Sequence, residues 1–478
     1  MHLGNLCNIL IRIVGILSVD ISISLLLALY YNEPIIPFID TIVICCIISI
    51  LCGSAIYYSK HKEVTKKESF FIVTFSWFFI AGIGSLPYIF SHYFSIVDAF
   101  FESTSGFSTT GSSILSDIEA LPKSILFWRS LTHWIGGIGI IVIVIIIMPS
   151  LKIGGNNLFS VESSVGEKIL PKITSVGKRL LLIYLSLTTL EIIFLLLGDM
   201  TLFDSICHAF GTVATGGFST KNTSIADYSP YIQYVIAIFM FLAGINFILY
   251  YYLVKNRFDK IKHNNELWFY IKVVISTTIL VTVLLYSQTS RPLEQSFRDS
   301  FFQVVSIITC TGFASSDYLL WPQAGSIIMF LLLFAGGCTG STAGGIKMAR
   351  HALVFKNLRN IFTKNLHPQV ITPVRFNNTI MNEKQNVAVL TFIVWYFIAF
   401  TVGTVLLIFL NVDGATAASA IATAMGGVGP GIGTIGPVSN FSHLSNIVKI
   451  IISLFMILGR LELYSFLVLL TPAFWKSK

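Results

Sequence analysis

The chain alternates between long apolar runs and short polar connections, and two apolar runs, roughly 6–31 and 36–58, come first. Each is long enough to cross a bilayer as a helix, since about 20 residues span the hydrocarbon core. The first run is too long for the apolar part of a signal peptide, so we predict that it is a retained membrane helix. The pattern as a whole predicts an all-α integral membrane protein with ten crossings.

Four longer units follow, each with an apolar run, a short amphipathic stretch, a polar loop and a second apolar run. The short stretches cannot span, so we predict four pseudo-repeated helix–pore-helix–helix units around a central pore. Irregular backbone at membrane depth must be buried in protein or line a water-filled cavity, whereas ordinary extracellular loops are the alternative. The predicted boundaries are 1–68 for the two N-terminal helices and 69–176, 177–266, 267–385 and 386–478 for the four units.

A short glycine-bearing loop returns in every unit, with 105, 96 and 117 residues between successive final glycines. Four such loops around one axis would supply main-chain carbonyls that replace the water shell of a monovalent cation. Glycine accepts positive φ and leaves the lumen open, and the loops lack the carboxylates that a calcium site needs. The predicted ion-binding residues are Thr109, Thr110 and Gly111; Ala214, Thr215 and Gly216; Cys310, Thr311 and Gly312; and Gly427, Val428 and Gly429.

A good N-capping residue stands 12 or 13 residues before each final glycine. A helix that begins there would direct the negative end of its dipole toward the loop, which favours a cation. The predicted N-caps are Asp98, Asp204, Asp299 and Thr416.

Composition and charge agree with a membrane protein. The chain is 54% hydrophobic and 11% charged, whereas a soluble domain has about 25% charged residues. The net charge is +8, and 22 of the 31 Lys and Arg residues fall in loops on the side of both termini. The positive-inside rule makes that side cytoplasmic in a bacterial membrane, so the basic charge requires no nucleic acid. The predicted outer loops carry acids, among them Glu33 and Glu102, that would concentrate cations.

The second apolar run of the third unit contains five glycines within residues 336–345. Each glycine costs about 1 kcal/mol in a helix interior, so we predict a break halfway across the membrane. Close helix packing through small residues is the alternative. The residues concerned are Gly336, Gly337, Gly340, Ser341, Thr342, Gly344, Gly345 and Lys347.

Arg460 and Glu462 lie in an otherwise apolar run, where charges are costly and usually functional. Two residues apart on a helix, they point to different faces, so we expect Glu462 to pair elsewhere, with Lys347 as a candidate. A structural ion pair is the alternative. Arg129 and His133 are predicted to anchor a helix at the membrane interface.

His208 is predicted to pack within a pore helix. The seven cysteines have neither zinc-site nor disulfide spacing, so we expect free, packed thiols.

The four loops, the segment 335–347 and the Gly-Arg-Leu-Glu sequence at 459–462 resemble the Trk/Ktr/HKT superfamily of potassium transporters, specifically the TrkH-type membrane subunit. The resemblance covers essentially the whole chain. It implies potassium, because serine in place of the first filter glycine goes with sodium selectivity in plant relatives and this chain has Gly111. It also implies that the broken segment is a gate and that Arg460 is an electrostatic barrier in the pore.

The resemblance further implies a homodimer and a cytosolic TrkA-type nucleotide-binding regulatory partner, with K⁺ as the transported ion and no organic cofactor. The basic loop 347–385 is expected to meet anionic membrane lipid. We thus predict potassium uptake by gated, channel-like permeation. The alternative is a secondary transporter that couples potassium to protons or sodium, which an expected lack of midplane acids disfavours. The chain lacks the His-Glu-x-x-His and Gly-x-Ser-x-Gly motifs of an intramembrane enzyme, and we predict that it is not an enzyme.

Overall fold

The computed structural model describes residues 3–57, 65–142, 173–370, 372–377 and 379–476. The predicted cytoplasmic loops at 59–68 and 150–179, together with Lys478, lie wholly or largely outside these ranges. Within them the chain is almost entirely helical, and its strands form one antiparallel hairpin, Arg375–Phe376 with Thr379–Ile380. The predicted all-α class is confirmed.

Two long helices, α1 (Leu3–Tyr30) and α2 (Ile36–Tyr57), pack against each other at the N-terminus and match the first two apolar runs. Large side chains such as Leu26 and Leu51 remain 65% and 63% exposed along them. An apolar surface of this kind on a long helix is typical of contact with lipid.

Four units of similar order follow these helices, each with a long helix, a short pore helix and a second helix. Unit one has α3 (Lys66–Phe90), pore helix α4 (Ile96–Phe107) and α5 (Lys123–Val142); unit two has α6 (Ile173–Leu196), pore helix α7 (Leu202–Val213) and the bent pair α8 (Pro230–Ala243) and α9 (Phe247–Val254), with α10 (Phe258–Lys262) after it. Unit three has α11 (Asn265–Gln288), pore helix α12 (Leu293–Ile308), a 3₁₀ turn (Tyr318–Leu320), α13 (Gln323–Leu332) and α14 (Met348–Leu366). Unit four has α15 (Glu383–Phe409), pore helix α16 (Gly414–Gly426), a 3₁₀ turn (Gly433–Ile435), α17 (Asn446–Arg460), α18 (Tyr464–Leu470) and α19 (Pro472–Lys476).

The described ranges contain six helices that are long and apolar enough to cross a membrane, and the pair α8 and α9, bent by 92°, would make a seventh. The second helices of the other units do not qualify. Helix α5 ends where its described range ends, α13 stops at Leu332, and α17 is interrupted after Arg460. The chain is therefore a multi-pass membrane protein, whereas ten crossings and the domain boundaries stay predictions.

The four pore helices begin earlier than predicted. Ser95, Thr201 and Asp413 are the N-caps of α4, α7 and α16, three residues before the predicted ones. Serine and threonine cap as well as aspartate does, and the Asp98 carboxylate accepts a hydrogen bond from the Ser95 hydroxyl at 2.7 Å. Helix α12 begins even earlier, after Pro292.

Glycines in the second helices let the inner ends of the pore helices approach closely. A Cβ on Gly136 of α5 would lie closer than 3.0 Å to the Phe107 carbonyl oxygen at the end of α4. A Cβ on Gly459 of α17 would overlap the Met425 main chain near the end of α16 in the same way. Small residues thus bring the pore-helix ends toward the centre of the molecule, as expected for packing glycines.

Candidate functional site

The loops that follow the four pore helices have the same backbone conformation. In each loop a main-chain N–H donates back to a pore-helix carbonyl, a residue of positive φ precedes this donor, and a glycine of positive φ follows it. The donor–acceptor pairs are Thr110 to Ser105 (2.9 Å), Gly216 to Gly211 (2.7 Å), Thr311 to Ser306 (2.8 Å) and Val428 to Thr423 (3.0 Å). The residues of positive φ are Thr109 and Gly111, Thr215 and Gly217, Cys310 and Gly312, and Gly427 and Gly429.

This alignment corrects the predicted register of the second loop by one residue. The glycine equivalent to Gly111 is Gly217, with φ of 81° in both, and Gly216 occupies the place of Thr110. Two consecutive glycines made the register ambiguous. The signal that decides it is Asp204, which stands 13 residues before Gly217, the same separation as Asp98 from Gly111.

The four loops converge on one another in cyclic order, and we call this arrangement the loop ring. Each positive-φ glycine faces the carbonyl oxygen of the next unit, so closely that a Cβ built on it would lie within 3.0 Å of that oxygen. The pairs are Gly111 with Gly216, Gly217 with Thr311, Gly312 with Val428, and Gly429 with Thr110.

The oxygens of the loop ring are main-chain carbonyl oxygens, which carry no formal charge. Among the described residues no hydrogen bond is donated to the four carbonyls that face the glycines, whereas the N–H groups of the same four residues are bound to the pore helices. Preorganised, converging carbonyls of this kind can replace the water shell of a monovalent cation. The described residues hold no group of three or more His, Cys, Asp or Glu side chains that would suit a multivalent metal.

Buried charged side chains lie directly behind the first two loops. Arg129 is 2% exposed and Glu102 fully buried, and their Nε and Oε1 atoms are 2.6 Å apart. His133 is fully buried and stacks on Phe218, with ring centroids 4.0 Å apart. The predictions of Arg129 and His133 as interfacial anchors, and of Glu102 as an acid of the outer mouth, are therefore wrong. Arg129 lies almost two turns inside α5, and its side chain reaches the Ser219 carbonyl just after the second loop.

His208 is packed in a pore helix as predicted, with Nδ1 2.8 Å from the Asp204 carbonyl oxygen and Nε2 2.9 Å from Ser219 Oγ.

The third unit's second helix is broken as predicted. Between α13 and α14 the chain follows an irregular path, which we call the crossing segment (residues 333–347). The Thr342 hydroxyl donates to the Val213 carbonyl at the end of α7, and Gly344 approaches the Gly426 carbonyl at the end of α16. Gly340 has φ of 76° and its carbonyl accepts a hydrogen bond from the Phe247 N–H.

Within the crossing segment, close contacts replace the missing helix. Gly336 lies against the Gly344 carbonyl, Gly337 against the Ala343 side chain, and Gly345, with φ of 67°, against the Ala335 carbonyl. The Ser341 hydroxyl donates to the Cys338 carbonyl, and the Lys347 ammonium donates to the Ala343 carbonyl.

Arg460 joins the crossing segment to two other units. Its Nη1 and Nη2 atoms donate to the carbonyls of Thr342 and Gly136, each at 3.1 Å. Arg460 also lines a cavity, together with Gly427, Gly344 and Lys347. The arrangement places a cation next to the C-terminal ends of pore helices, where the helix dipole favours positive charge.

Glu462 forms an ion pair with Arg350, 2.5 Å from Nη2, and the prediction of Lys347 as its partner is wrong. Glu462 and Leu463 both have positive φ, which reverses the chain after α17 and brings the carboxylate to the start of α14.

Comparison with known proteins agrees with this architecture. The family described as TrkH, cation transport protein, matches residues 39–477. The chain belongs to the TrkH family. The Trk system potassium uptake protein TrkH of Escherichia coli K12 is 35% identical over 445 residues, which cover 90% of this chain and 91% of that protein. TrkI of Halomonas elongata is 33% identical and covers 97% and 95% of the two chains.

A crystal structure of the potassium transporter TrkH from Vibrio parahaemolyticus has a TM-score of 0.90, with 30% identity over the whole of both chains. Family membership confirms the predicted resemblance, and it confirms that the chain is a transport protein rather than an enzyme.

Glu266, at the first turn of α11, escaped the sequence analysis. One of its oxygens, Oε1, accepts from the Thr339 N–H at 2.6 Å, the Thr339 hydroxyl at 3.0 Å and the Ala349 N–H at 3.0 Å. The carboxylate therefore holds both the crossing segment and the start of α14. A glutamate in the first turn of a helix is common for dipole reasons, so the sequence carried no signal for this role.

We expect Glu266→Ala to lower the free energy of unfolding by about 1–3 kcal/mol for each buried N–H donor left unpaired. The apparent melting temperature of the detergent-solubilised protein would measure the loss. Glu266→Gln is the matched control, since its amide oxygen still accepts. Equal melting temperatures for wild type and Glu266→Ala would contradict the assignment.

Proposed function

We propose that this chain takes up potassium across the bacterial cytoplasmic membrane by selective, channel-like permeation through the loop ring. The proposal rests on one observation: each of four glycines lies against a carbonyl oxygen of the next loop, and the four contacts close into a ring. This ring supplies from one polypeptide the oxygens that a dehydrated monovalent cation requires. The printed names of the relatives, which are potassium uptake proteins, support the same ion.

The residues that we assign to the ion are the twelve predicted ones, with Gly217 added. Thr110, Gly216, Thr311 and Val428 supply the carbonyls that face neighbouring loops. K⁺ is the cargo rather than a resident cofactor. No carboxylate belongs to the ring, so full dehydration of a divalent ion would lack compensation.

The proposed gate is the crossing segment together with Arg460. The segment lies against the ends of α7 and α16, which lead directly into two of the four loops. Arg460 adds a positive charge beside the cavity next to those ends, which opposes a permeating cation. Opening requires the segment to leave this position, and the loss of the Arg460 bonds to Thr342 and Gly136 would accompany that movement.

We also propose both termini in the cytoplasm, a homodimer, and a cytosolic nucleotide-binding subunit of the TrkA type as regulatory partner. The positive-inside distribution supports the orientation. Helix α14 supports a regulatory contact, since it starts at the end of the crossing segment and carries Lys356, Arg359 and Lys364. The same basic residues suit anionic lipid at the membrane surface.

A second candidate, coupling of potassium to protons, is favoured by one observation. Glu191 of α6 is fully buried, and neither carboxylate oxygen has a hydrogen-bond partner among the described residues. Asp20 of α1 also has one buried oxygen without a partner. Both lie about one helical turn from the middle of their spans, so the expected lack of midplane acids is wrong. Intramembrane acids of this kind mark proton pathways in many transporters.

Glu191→Gln distinguishes the two candidates in liposomes that contain the purified chain. For channel-like permeation we expect a reversal potential that follows the potassium gradient alone, with or without a proton gradient. A shift with the proton gradient that Glu191→Gln abolishes, and that the control Asp40→Asn preserves, would establish coupling instead, because Asp40 is an exposed carboxylate of α2.

Gly111→Ser should weaken the preference for potassium over sodium by about tenfold or more. A non-glycine residue at such a φ is strained by about 1–3 kcal/mol, and we expect relief of this strain to displace the first loop from its place in the ring. Growth of a transport-deficient bacterium in low potassium, with and without excess sodium, provides the measurement. Gly82→Ser is the control, because a Cβ there meets nothing within 4 Å. Unaltered selectivity in Gly111→Ser would count against the loop ring as the ion site.

Arg460→Ala should raise potassium flux by about tenfold, which corresponds to a barrier lower by about 1.4 kcal/mol. Rubidium uptake at matched expression measures this, with Arg12→Ala as the control, because Arg12 is an exposed arginine of α1. If flux does not increase in Arg460→Ala, the arginine is no barrier.

A further inference from the structure

In units one to three the pore helix binds its own outgoing chain through a side chain at one shared position, three residues before the carbonyl that accepts from the loop. In unit two His208 binds the Ser219 hydroxyl, and in unit three Gln303 donates to the Ser316 carbonyl at 2.9 Å. Unit four has Ala420 at this position, and the adjacent Ser419 donates to the Ile432 carbonyl at 2.8 Å. These contacts act from behind the loop ring, and we call them pore-helix clamps.

The clamp of unit one is the charged one. Glu102 accepts from the Ser113 hydroxyl at 2.9 Å and from the Ile114 N–H at 3.0 Å, so both carboxylate oxygens hold the chain just after Gly111. One of them also binds Arg129 Nε at 2.6 Å. The carboxylate is fully buried and therefore depends on all three donors.

Arg129 connects this clamp of unit one to unit two. Its Nη1 atom donates to the Ser219 carbonyl at 2.9 Å, and its guanidinium lies 3.6 Å from the centre of the Phe218 ring. Phe218 and Ser219 directly follow Gly217 of the loop ring. The ion pair thus links the chain leaving loop one to the chain leaving loop two, in a planar fork that only arginine provides.

We propose that Glu102 and Arg129 are positioning residues that fix the separation of loops one and two and thereby set the preference for potassium over the smaller sodium ion. The inference rests on the proposed function. Gly111 of the first loop faces the Gly216 carbonyl of the second, so the linked pair controls one side of the ring. A smaller cation needs the carbonyls to move closer, and a buried, hydrogen-bonded tie between neighbouring loops resists that movement.

The test uses the purified full chain in liposomes, where reversal potentials with potassium on one side and sodium on the other give the permeability ratio. Glu102→Gln with Arg129→Gln removes both charges and leaves neither one buried alone. We expect the potassium-to-sodium ratio to fall by about tenfold, the scale of coupling between residues in contact, with potassium flux retained. The matched control is Asp98→Asn with Lys449→Gln. That pair also joins pore helix α4 to a second helix, at 2.7 Å, but within the described ranges it bonds to no loop carbonyl.

Arg129→Lys distinguishes a positioning role of Arg129 from a role in packing alone. It also provides a test if the double variant fails to fold. Lysine can still pair with Glu102 but has no fork to reach the Ser219 carbonyl at the same time, so we expect a ratio between those of wild type and the double variant. A wild-type ratio in Arg129→Lys overturns the inference. So does an equal fall in the control pair, which would indicate general loosening of α4. A wild-type protein without potassium preference would sink the proposed function itself, whereas a selective wild type with unchanged variants sinks only this inference.

Discussion

The closed approach of four loops depends on the absence of four side chains. Each positive-φ glycine of the ring lies so close to the next loop's carbonyl that a Cβ would overlap it, and the pairs run in order through all four units. Only glycine tolerates both this conformation and this distance. The packing glycines of α5 and α17 extend the same constraint outward, because they let the pore-helix ends reach the centre at which the loops meet.

Main-chain N–H and C=O groups outside helices cannot form hydrogen bonds with lipid tails. In this protein, buried polar side chains supply many of the hydrogen-bond partners that these groups need. Glu266 satisfies one N–H group within the crossing segment and one at the start of α14, and the Thr342 hydroxyl satisfies the last carbonyl of α7. Arg460 binds two more carbonyls, and Glu102 binds the chain after loop one. These charged and hydroxyl groups therefore make the irregular core of the protein possible. Their burial follows from that task rather than from ion pairing alone.

The sequence predicted what local patterns determine. Apolar length indicated the spanning helices, the dense glycines of 336–345 indicated the break, and repeated loops indicated the pore helices. It missed what depends on contacts between distant residues: Glu462 pairs with Arg350, 112 positions away, and Glu102 and Arg129 become buried only once α4 and α5 pack together. The register of loop two is an intermediate case. Gly216 and Gly217 both fit the loop pattern, and only the separation of 13 residues between Asp204 and Gly217 distinguishes them.

The loop ring is nearly fourfold, but the groups that hold it are not. Unit one has a buried ion pair behind its loop, units two and three have contacts of His208 and Gln303, and unit four has alanine at the equivalent position. Only unit three, among the described parts of the chain, replaces half of its second helix with an irregular segment, and Arg460 of unit four binds that segment and unit one at once. A pore of four identical subunits would have to repeat each such device four times. One chain with four divergent units needs only one such segment and one such guanidinium, so in the gate proposed above a movement of the crossing segment alone would change access to the ring.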